Sequence, residues 1–298
     1  MPDSRILAIV SVVGQDQKGV VARVSTYLAE NSVNIEDIEQ RVLQGVFIMN
    51  MLVDLSDLQM PLDQMIEGLR QVGTEMKMDI EVRLLGRRKE RRFLVMVTRE
   101  PHCLTRILED LDKGAIPGEI AAVWSNRDDL RWMAEERQIP FRHFPETDRA
   151  ERDARMLAEL EELRPDLIVL ARYMQILTPE FVRRWRSKII NIHPSLLPYH
   201  PGPHAYKQAF DTGRRVAGCT AHFVTEDLDE GPIILQDVFH INYGEDTLDD
   251  VKRKGQELEA KVLSKAIQLY LNNELLVQDN KVVFKPGLDF FKKSSHAL

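Results

Sequence analysis

Between residues 86 and 92 the chain runs Gly-Arg-Arg-Lys-Glu-Arg-Arg, and the rhythm of its apolar segments changes there. Before this run, apolar stretches and amphipathic stretches alternate in a short cycle that closes by residue 87. After it, apolar runs are separated by longer segments with helical spacing. Two rhythms in a chain of 298 residues, longer than a typical single domain, point to two separately cored units over 1–87 and 88–298. The basic run between them reads as a solvated linker.

In the first unit, Ile6–Val13 reads as a buried strand, and Gly19–Ser32 places Val20, Val21, Val24, Tyr27 and Leu28 on one helical face. Strands at Ile35–Leu43 and Val46–Leu55 flank Gln44-Gly45, a tight-turn signal. A second helix starts at Leu62, with Met65, Leu69 and Val72 in helical spacing, and Asp79–Gly86 closes the unit. The order β-α-β-β-α-β is the split βαβ, ferredoxin-like arrangement. In the loop Val13–Gly19, Gly14 and Gly19 permit a sharp turn, and Asp16 or Gln17 is placed to cap the following helix.

In the second unit, strands are expected at Arg91–Thr98, Glu119–Asn126, Pro140–Phe144, Asp166–Tyr173 and Lys188–Pro194. Helical segments such as Arg149–Leu163 lie between them. This alternation implies an α/β, Rossmann-like, mostly parallel, doubly wound sheet covered on both faces. Ligands then bind beyond the carboxyl ends of the strands. Late strands at Ala217–Val224 and Gly231–Ile241, a helix from about Thr247 to Leu271 and a strand at Asn280–Phe284 complete the unit; the segment after Pro286 reads as peripheral.

The formal charge of −7 argues against nucleic acid as the main partner, because phosphate binding needs a basic face. Cys103 and Cys219 stand in no Cys-x-x-Cys pair, which fits a reducing cytoplasm. No apolar run of about 18 residues and no leader-like segment is present, so a membrane-spanning or secreted protein is not expected.

The chemistry-bearing pattern is Asn191-Ile192-His193 at the end of an apolar strand, with Asp229 in the acidic connection Thr225–Glu230. Asn191 and His193 are two apart, so both side chains leave the strand on one face. An amide can donate to a developing oxyanion without changing charge. An imidazole can donate or transfer a proton near neutrality, and a carboxylate can orient it or take a proton from water. Taken singly, Asn191 and His193 read first as loop hydrogen-bonders and Asp229 as a residue that tightens the turn before Gly231. Two other chemistries stay open. His193, His200, His204 and His222 invite a metal reading, although Pro201, Gly202 and Pro203 bar the helix that would align His200 with His204. Cys103 beside His102 invites a nucleophile reading, although Cys103 is equally suited to packing at a helix start.

The loop Val13–Gly19, followed by Val21-Ala22-Arg23-Val24 and by the strand Val33–Gln40, resembles an ACT domain. The resemblance implies that Gly14, Asp16 and Gly19 line a site for a small amino acid, glycine or methionine, in a homodimer or homotetramer. A purely oligomerising domain is the alternative. Residues 91–270 resemble the folate-dependent formyltransferase family. The resemblance rests on Asn191–Gly202, Gly218–Val224, the turn Asp229–Pro232, Ser125–Arg127 and Val169–Val182. It implies that Asn191, His193 and Asp229 are the catalytic trio and that a formylated folate is the substrate, with no metal and no separate cofactor. It further implies that Met174, Gln175, Ile176 and Leu177 wall the pteridine pocket and that His222 approaches the site. Gln175 stands where relatives commonly carry arginine.

Within that family, the segment Thr98–Leu104 has no glycine and has Pro101 in place of a donor, so it makes a poor phosphate cradle. It is similar to the corresponding run of the deformylases, whose acceptor is water and which carry an ACT domain ahead of this fold. That branch implies release of formate for purine biosynthesis and a balance of one-carbon pools. Against it stand Pro194, where deformylases typically carry histidine, and Tyr199–Pro203, which is transferase-like. Formyl transfer to an amine acceptor, as in glycinamide ribonucleotide transformylases, is therefore the alternative. A non-catalytic amino-acid and folate sensor is the second alternative.

Overall fold

In the computed structural model, residues 6–43, 45–84, 91–198, 205–278 and 280–284 are described. The chain divides into two compact units, one up to Lys89 and the other from Glu90 to Val283. The linker residues 86–90, the run Tyr199–Pro203 with His200, His204, and the segment after Pro286 lie outside the described residues.

The first unit runs β1 (Leu7–Gln15), α1 (Val20–Glu30), β2 (Asn34–Leu43), β3 (Val46–Asp54), α2 (Leu62–Met76) and β4 (Met78–Leu84). Its antiparallel sheet has the order β2-β3-β1-β4. Alternation decides which side of the sheet is covered. Ala8, Val10 and Val12 of β1 and Phe47, Met49, Met51 and Val53 of β3 form one cluster with Val20, Val24 and Leu28 of α1 and Met65, Leu69 and Val72 of α2. Fully burying one such aliphatic side chain contributes about 1.5–3 kcal/mol, so the helical stripes and the covered sheet face stabilise this unit together.

The loop after β1 differs from the capping scheme expected of it. Neither Asp16 nor Gln17 caps α1. Gly19 is the N-cap residue, at φ 90° and with no side-chain cap. Gln17 instead donates its amide to the carbonyl of Met76, and the Asp16 amide donates to Gly45 at 2.8 Å. Gly14 does not turn the chain. It lies within β1, paired with Phe47 and Met78, and a Cβ there would come within 2.3 Å of the Met78 sulfur.

The second unit begins with β5 (Arg92–Val97), α3 (His102–Asp112), β6 (Glu119–Ser125), α4 (Arg131–Glu135) and β7 (Phe141–His143). It continues with α5 (Arg149–Leu163), β8 (Leu167–Leu170), α6 (Pro179–Arg184), β9 (Ile189–His193) and α7 (Ala205–Asp211), then β10 (Val216–Phe223), β11 (Ile233–His240) and α8 (Leu248–Leu271). A hairpin of β12 (Leu275–Gln278) and β13 (Lys281–Phe284) follows, of which only the second strand was expected. The central sheet has the order β11-β10-β9-β8-β5-β6-β7. It is parallel from β9 to β7, with β10 and β11 antiparallel.

Both faces of this sheet are apolar and both are covered. Phe93, Val95 and Val97 of β5 pack with Leu104, Ile107, Leu263 and Ile267 of α3 and α8, whereas Leu94 and Met96 pack with Met156, Leu160 and Phe181 of α5 and α6. The chain leaves β5 toward β6 on one side and returns to β8 on the other, so the carboxyl ends of β5 and β8 flank a switch point where a crevice forms. The strand β8 stops at Leu170, three residues short of its expected end, because Arg172 adopts φ 63°, which ends the extended run.

Candidate active site

Asn191 and His193 alternate with buried Ile190 and Ile192 on β9, next to the switch point. The antiparallel neighbour β10 sets His222 opposite Asn191 and Thr220 opposite His193. A bulge in the β10–β11 pairing between Ala221 and His222 re-aims the latter. Asp229 arrives from the connection between β10 and β11, where it takes a left-handed conformation at φ 58° that aspartate tolerates better than most residues. The connection closes against β10 only because residue 231 is glycine: a Cβ there would lie 1.7 Å from the carbonyl oxygen of Phe223.

The result is a compact polar cluster. His193 Nδ1 lies 3.3 Å from Asp229 Oδ2, and His222 Nε2 lies 3.7 Å from Asp229 Oδ1. Asn191 Nδ2 lies 3.2 Å from His222 Nε2. His222 Nδ1 faces the Phe223 carbonyl oxygen at 3.0 Å, and that oxygen can only accept. The His222 ring therefore carries its proton on Nδ1 and offers the lone pair of Nε2 to the amide of Asn191. This fixes Asn191 with its NH2 toward the site.

The electrostatics agree with this tautomer. Burial lowers the pKa of His222, and the Phe223 hydrogen bond and the Asp229 charge only partly oppose it, so the ring is neutral at pH 7. For Asp229, burial pushes the carboxyl upward, but the hydrogen bond from His193 and the electrostatic attraction of that imidazole outweigh it. Its pKa lies below the usual carboxylate range. Among the described residues, His193 Nε2 is buried without a hydrogen-bond partner. Its ring is oriented through Nδ1 by Asp229, which leaves Nε2 as the nitrogen available to a bound group.

The segment after β8 stands on the same side of the sheet. Met174 and Ile176 are 56% and 55% exposed, unusual for large apolar side chains, whereas Leu177 is buried beside Phe181 and Val182. Gln175 accepts a hydrogen bond from Arg152 Nη1 at 3.0 Å. Thr98, at the end of β5, accepts from the Met174 amide at 3.0 Å and donates to Asn126 at 2.8 Å, which ties β5, β6 and this segment together. Arg152 and Asp153 are the residues that sequence reasoning passed over. Their signal is the stripe Arg152, Met156, Leu160, which places a guanidinium on the buried face of α5.

A second polar cluster lies at the start of α3. His102 Nε2 is 3.1 Å from Glu259 Oε2, and Arg172 Nε is 3.5 Å from the same oxygen. His102, Cys103 and Glu259 bring ligand-type atoms within 4.8 Å of one another, but the Arg172 guanidinium already supplies the positive charge there. Cys103 is fully buried, and burial drives its thiol pKa well above the ordinary value, which is the opposite of what a nucleophile needs. It packs in the core with Leu104 and Ile107. The loop residues Gly14, Asp16 and Gly19 belong to the first unit, where Asp16 and Gly19 are exposed.

A doubly wound sheet whose strand ends gather an amide donor, an oriented imidazole with one free nitrogen and an ionised carboxylate defines a module for acyl-group chemistry. The formyl transferase family model matches residues 91–267, and the ACT domain model matches residues 7–83. Formyltetrahydrofolate deformylase of Escherichia coli strain K12 is 38% identical over 283 residues, covering 90% of this chain and 94% of the relative. The same-named protein of Bacillus subtilis strain 168 is 35% identical over 273 residues, covering 90% of each. A solved deformylase structure from Pseudomonas syringae superposes with a TM-score of 0.86 at 34% identity over 96% of both chains. The glycinamide ribonucleotide transformylase 1 structure from Symbiobacterium toebii gives a TM-score of 0.63 at 33% identity and covers 68% of this chain and 96% of its own. The chain belongs to the formyltetrahydrofolate deformylase family, an ACT domain followed by a formyltransferase domain.

Proposed function

We propose that the chain hydrolyses 10-formyltetrahydrofolate to formate and tetrahydrofolate, with residues 88–298 carrying the reaction and residues 1–87 regulating it. The observation that carries the mechanism is the free Nε2 of His193, held by Asp229 beside the amide of Asn191. Water bonds to the formyl carbon through its oxygen and gives a proton to Asp229. Asn191 Nδ2 and the protonated His193 Nε2 donate to the oxygen that becomes negative. The carbon–nitrogen bond then breaks, the folate nitrogen takes a proton, and formate leaves with one proton released overall. His222 holds Asn191 in its donating orientation, and Met174, Gln175, Ile176 and Leu177 form the wall for the pteridine. No step calls for a metal or a further cofactor.

The first βα connection supports water as the acceptor. Pro101 precedes α3 and His102 is occupied by Glu259, so this turn offers little to an acceptor's phosphate. A second reading, transfer to an amine acceptor, is favoured by Pro194, which lines a cavity of about 350 Å³ with Ser195, Tyr206 and Arg214. Product analysis separates the two: hydrolysis yields formate and tetrahydrofolate in equal amounts from wild type and not from His193→Ala. Formyl transfer requires an added amine.

The released formate would feed purine synthesis and balance one-carbon pools. The exposed loop over residues 16–19, with Gly14 near the end of β1, would bind glycine or methionine in a homodimer or homotetramer. The edge strand β2, with exposed Ile38, Val42 and Leu43, is a face that a second copy would cover. Light scattering tests the assembly. Titration with glycine and methionine tests the effector, and an unchanged rate and melting temperature with both would refute it.

A further inference from the structure

The second half of the turn after β8, Gln175–Thr178, is gripped by one face of α5. Arg152, 2% exposed, pairs through Nε and Nη2 with Asp153 Oδ1 at 2.9 and 2.7 Å. Its Nη1 donates to Gln175 Oε1 at 3.0 Å and its Nη2 to the Ile176 carbonyl at 2.8 Å. Asp153 Oδ2 accepts from the Thr178 amide at 2.5 Å, and Arg149 donates to the Leu177 carbonyl. Each residue from Gln175 to Thr178 is thus held by Arg149, Arg152 or Asp153.

Burying two charges is costly, and an apolar pair on the same stripe as Met156 and Leu160 would pack the core at least as well. What an apolar pair could not do is fix a polar turn. That turn presents Met174 and Ile176 to solvent, against the tendency of both side chains to bury. We propose that Arg152 and Asp153 are positioning residues for folate binding, which set Met174 and Ile176 as a preformed apolar wall, with Gln175 as the handle that Arg152 grips. This rests on the reading of Met174–Leu177 as the pteridine wall. Arg152 touches no reacting atom, so its loss weakens folate binding and leaves the chemistry at Asn191, His193 and Asp229 nearly intact.

The position of the guanidinium matters more than the residue that supplies it. The Gln175 side chain ends 3.0 Å from Arg152 Nη1, so an arginine at 175 would bring its guanidinium to Asp153 from the turn side. The full-length variants Gln175→Leu, Arg152→Met and Arg152→Met/Gln175→Arg test this. KM and kcat are measured with 10-formyltetrahydrofolate, and Kd is measured without turnover using 5-formyltetrahydrofolate as the probe. Gln175→Leu is expected to raise Kd and KM by roughly threefold to tenfold, the net worth of one typical hydrogen bond, with kcat within about twofold. Arg152→Met is expected to raise them by about tenfold or more, and the double variant to return within about threefold of wild type. If Arg152→Met, which leaves Asp153 alone in the core, does not fold, the other two variants carry the test. An unchanged Kd in Gln175→Leu, or a folded double variant with no recovery, overturns the proposal. Wild type that binds the probe but releases no formate would refute hydrolysis alone. Wild type that binds no folate would overturn both.

Discussion

Asp229→Asn keeps the shape of the side chain and removes its charge, so its effect isolates what the carboxylate does for His193. At the 3.3 Å separation of Asp229 Oδ2 and His193 Nδ1, a full charge pair at an effective dielectric constant of about 20 is worth about 5 kcal/mol. Part of this is recovered by the amide oxygen of asparagine when it accepts the same hydrogen bond. The loss also includes proton transfer from water, which catalytic groups accelerate by about 10²–10⁴-fold. The expected result is a fall in kcat of about 10³-fold with KM within about threefold. Formate release coupled to formate dehydrogenase reads both parameters, and a circular dichroism spectrum superimposable on that of wild type shows that the fold is retained. A kcat within tenfold of wild type would refute the role of Asp229. So would a variant in which KM alone rises, because the carboxylate would then serve binding and not chemistry.

Gly231→Ala is expected to lower kcat by at least about tenfold with the core intact, because a Cβ at 1.7 Å from the Phe223 oxygen forces the Asp229 turn away from β10; a variant with wild-type kcat would show that the turn tolerates displacement. Cys103→Ala is expected to retain kcat and to lose stability by about 1–2 kcal/mol in urea, since Cys103 is a core thiol; loss of activity in a folded variant would reopen the nucleophile reading. Folding stability is expected to decline as pH falls below about 6.5, the ordinary histidine value. The folded state holds His222 neutral below that point while the unfolded chain takes up a proton, and Asp229 adds a further loss below the ordinary aspartate range. Urea midpoints at pH 7.5 and 5.5 check this: the wild-type decline should be larger than that of His222→Gln, and equal declines would contradict it.

Much of this molecule is written in local sequence. The apolar run Ile6–Val13, the helical spacing of Met65, Leu69 and Val72, and the apolar runs of the second unit give elements whose existence follows from which residues bury. Asn191 and His193 share a face because they stand two apart at a strand end, a local signal, whereas Asp229 reaches His193 from the β10–β11 connection, a placement that only the family resemblance implied. The tautomer of His222 was not legible, since it depends on a carbonyl oxygen and an amide brought near only by the pairing of β9 with β10. Capping of α1 by Asp16 or Gln17 failed for a related reason: the Met76 carbonyl, 59 residues away in sequence, competes for the Gln17 side chain. Arg152 was hidden by its charge, because a guanidinium on an apolar stripe reads as solvated until Asp153, Gln175 and Ile176 are placed around it. The end of β8 at Leu170 was missed because no sequence signal marks the left-handed Arg172.

At the Asn191, His193 and Asp229 site, everything turns on water being the acceptor. Turnover of 10-formyltetrahydrofolate in 18O-labelled water, with no amine present and then with glycinamide ribonucleotide added, tests it directly. With water as acceptor, formate carrying one 18O atom is released steadily, matched by tetrahydrofolate and unaffected by the amine. Negligible turnover until the amine is added, with the formyl group recovered on that amine, would contradict it.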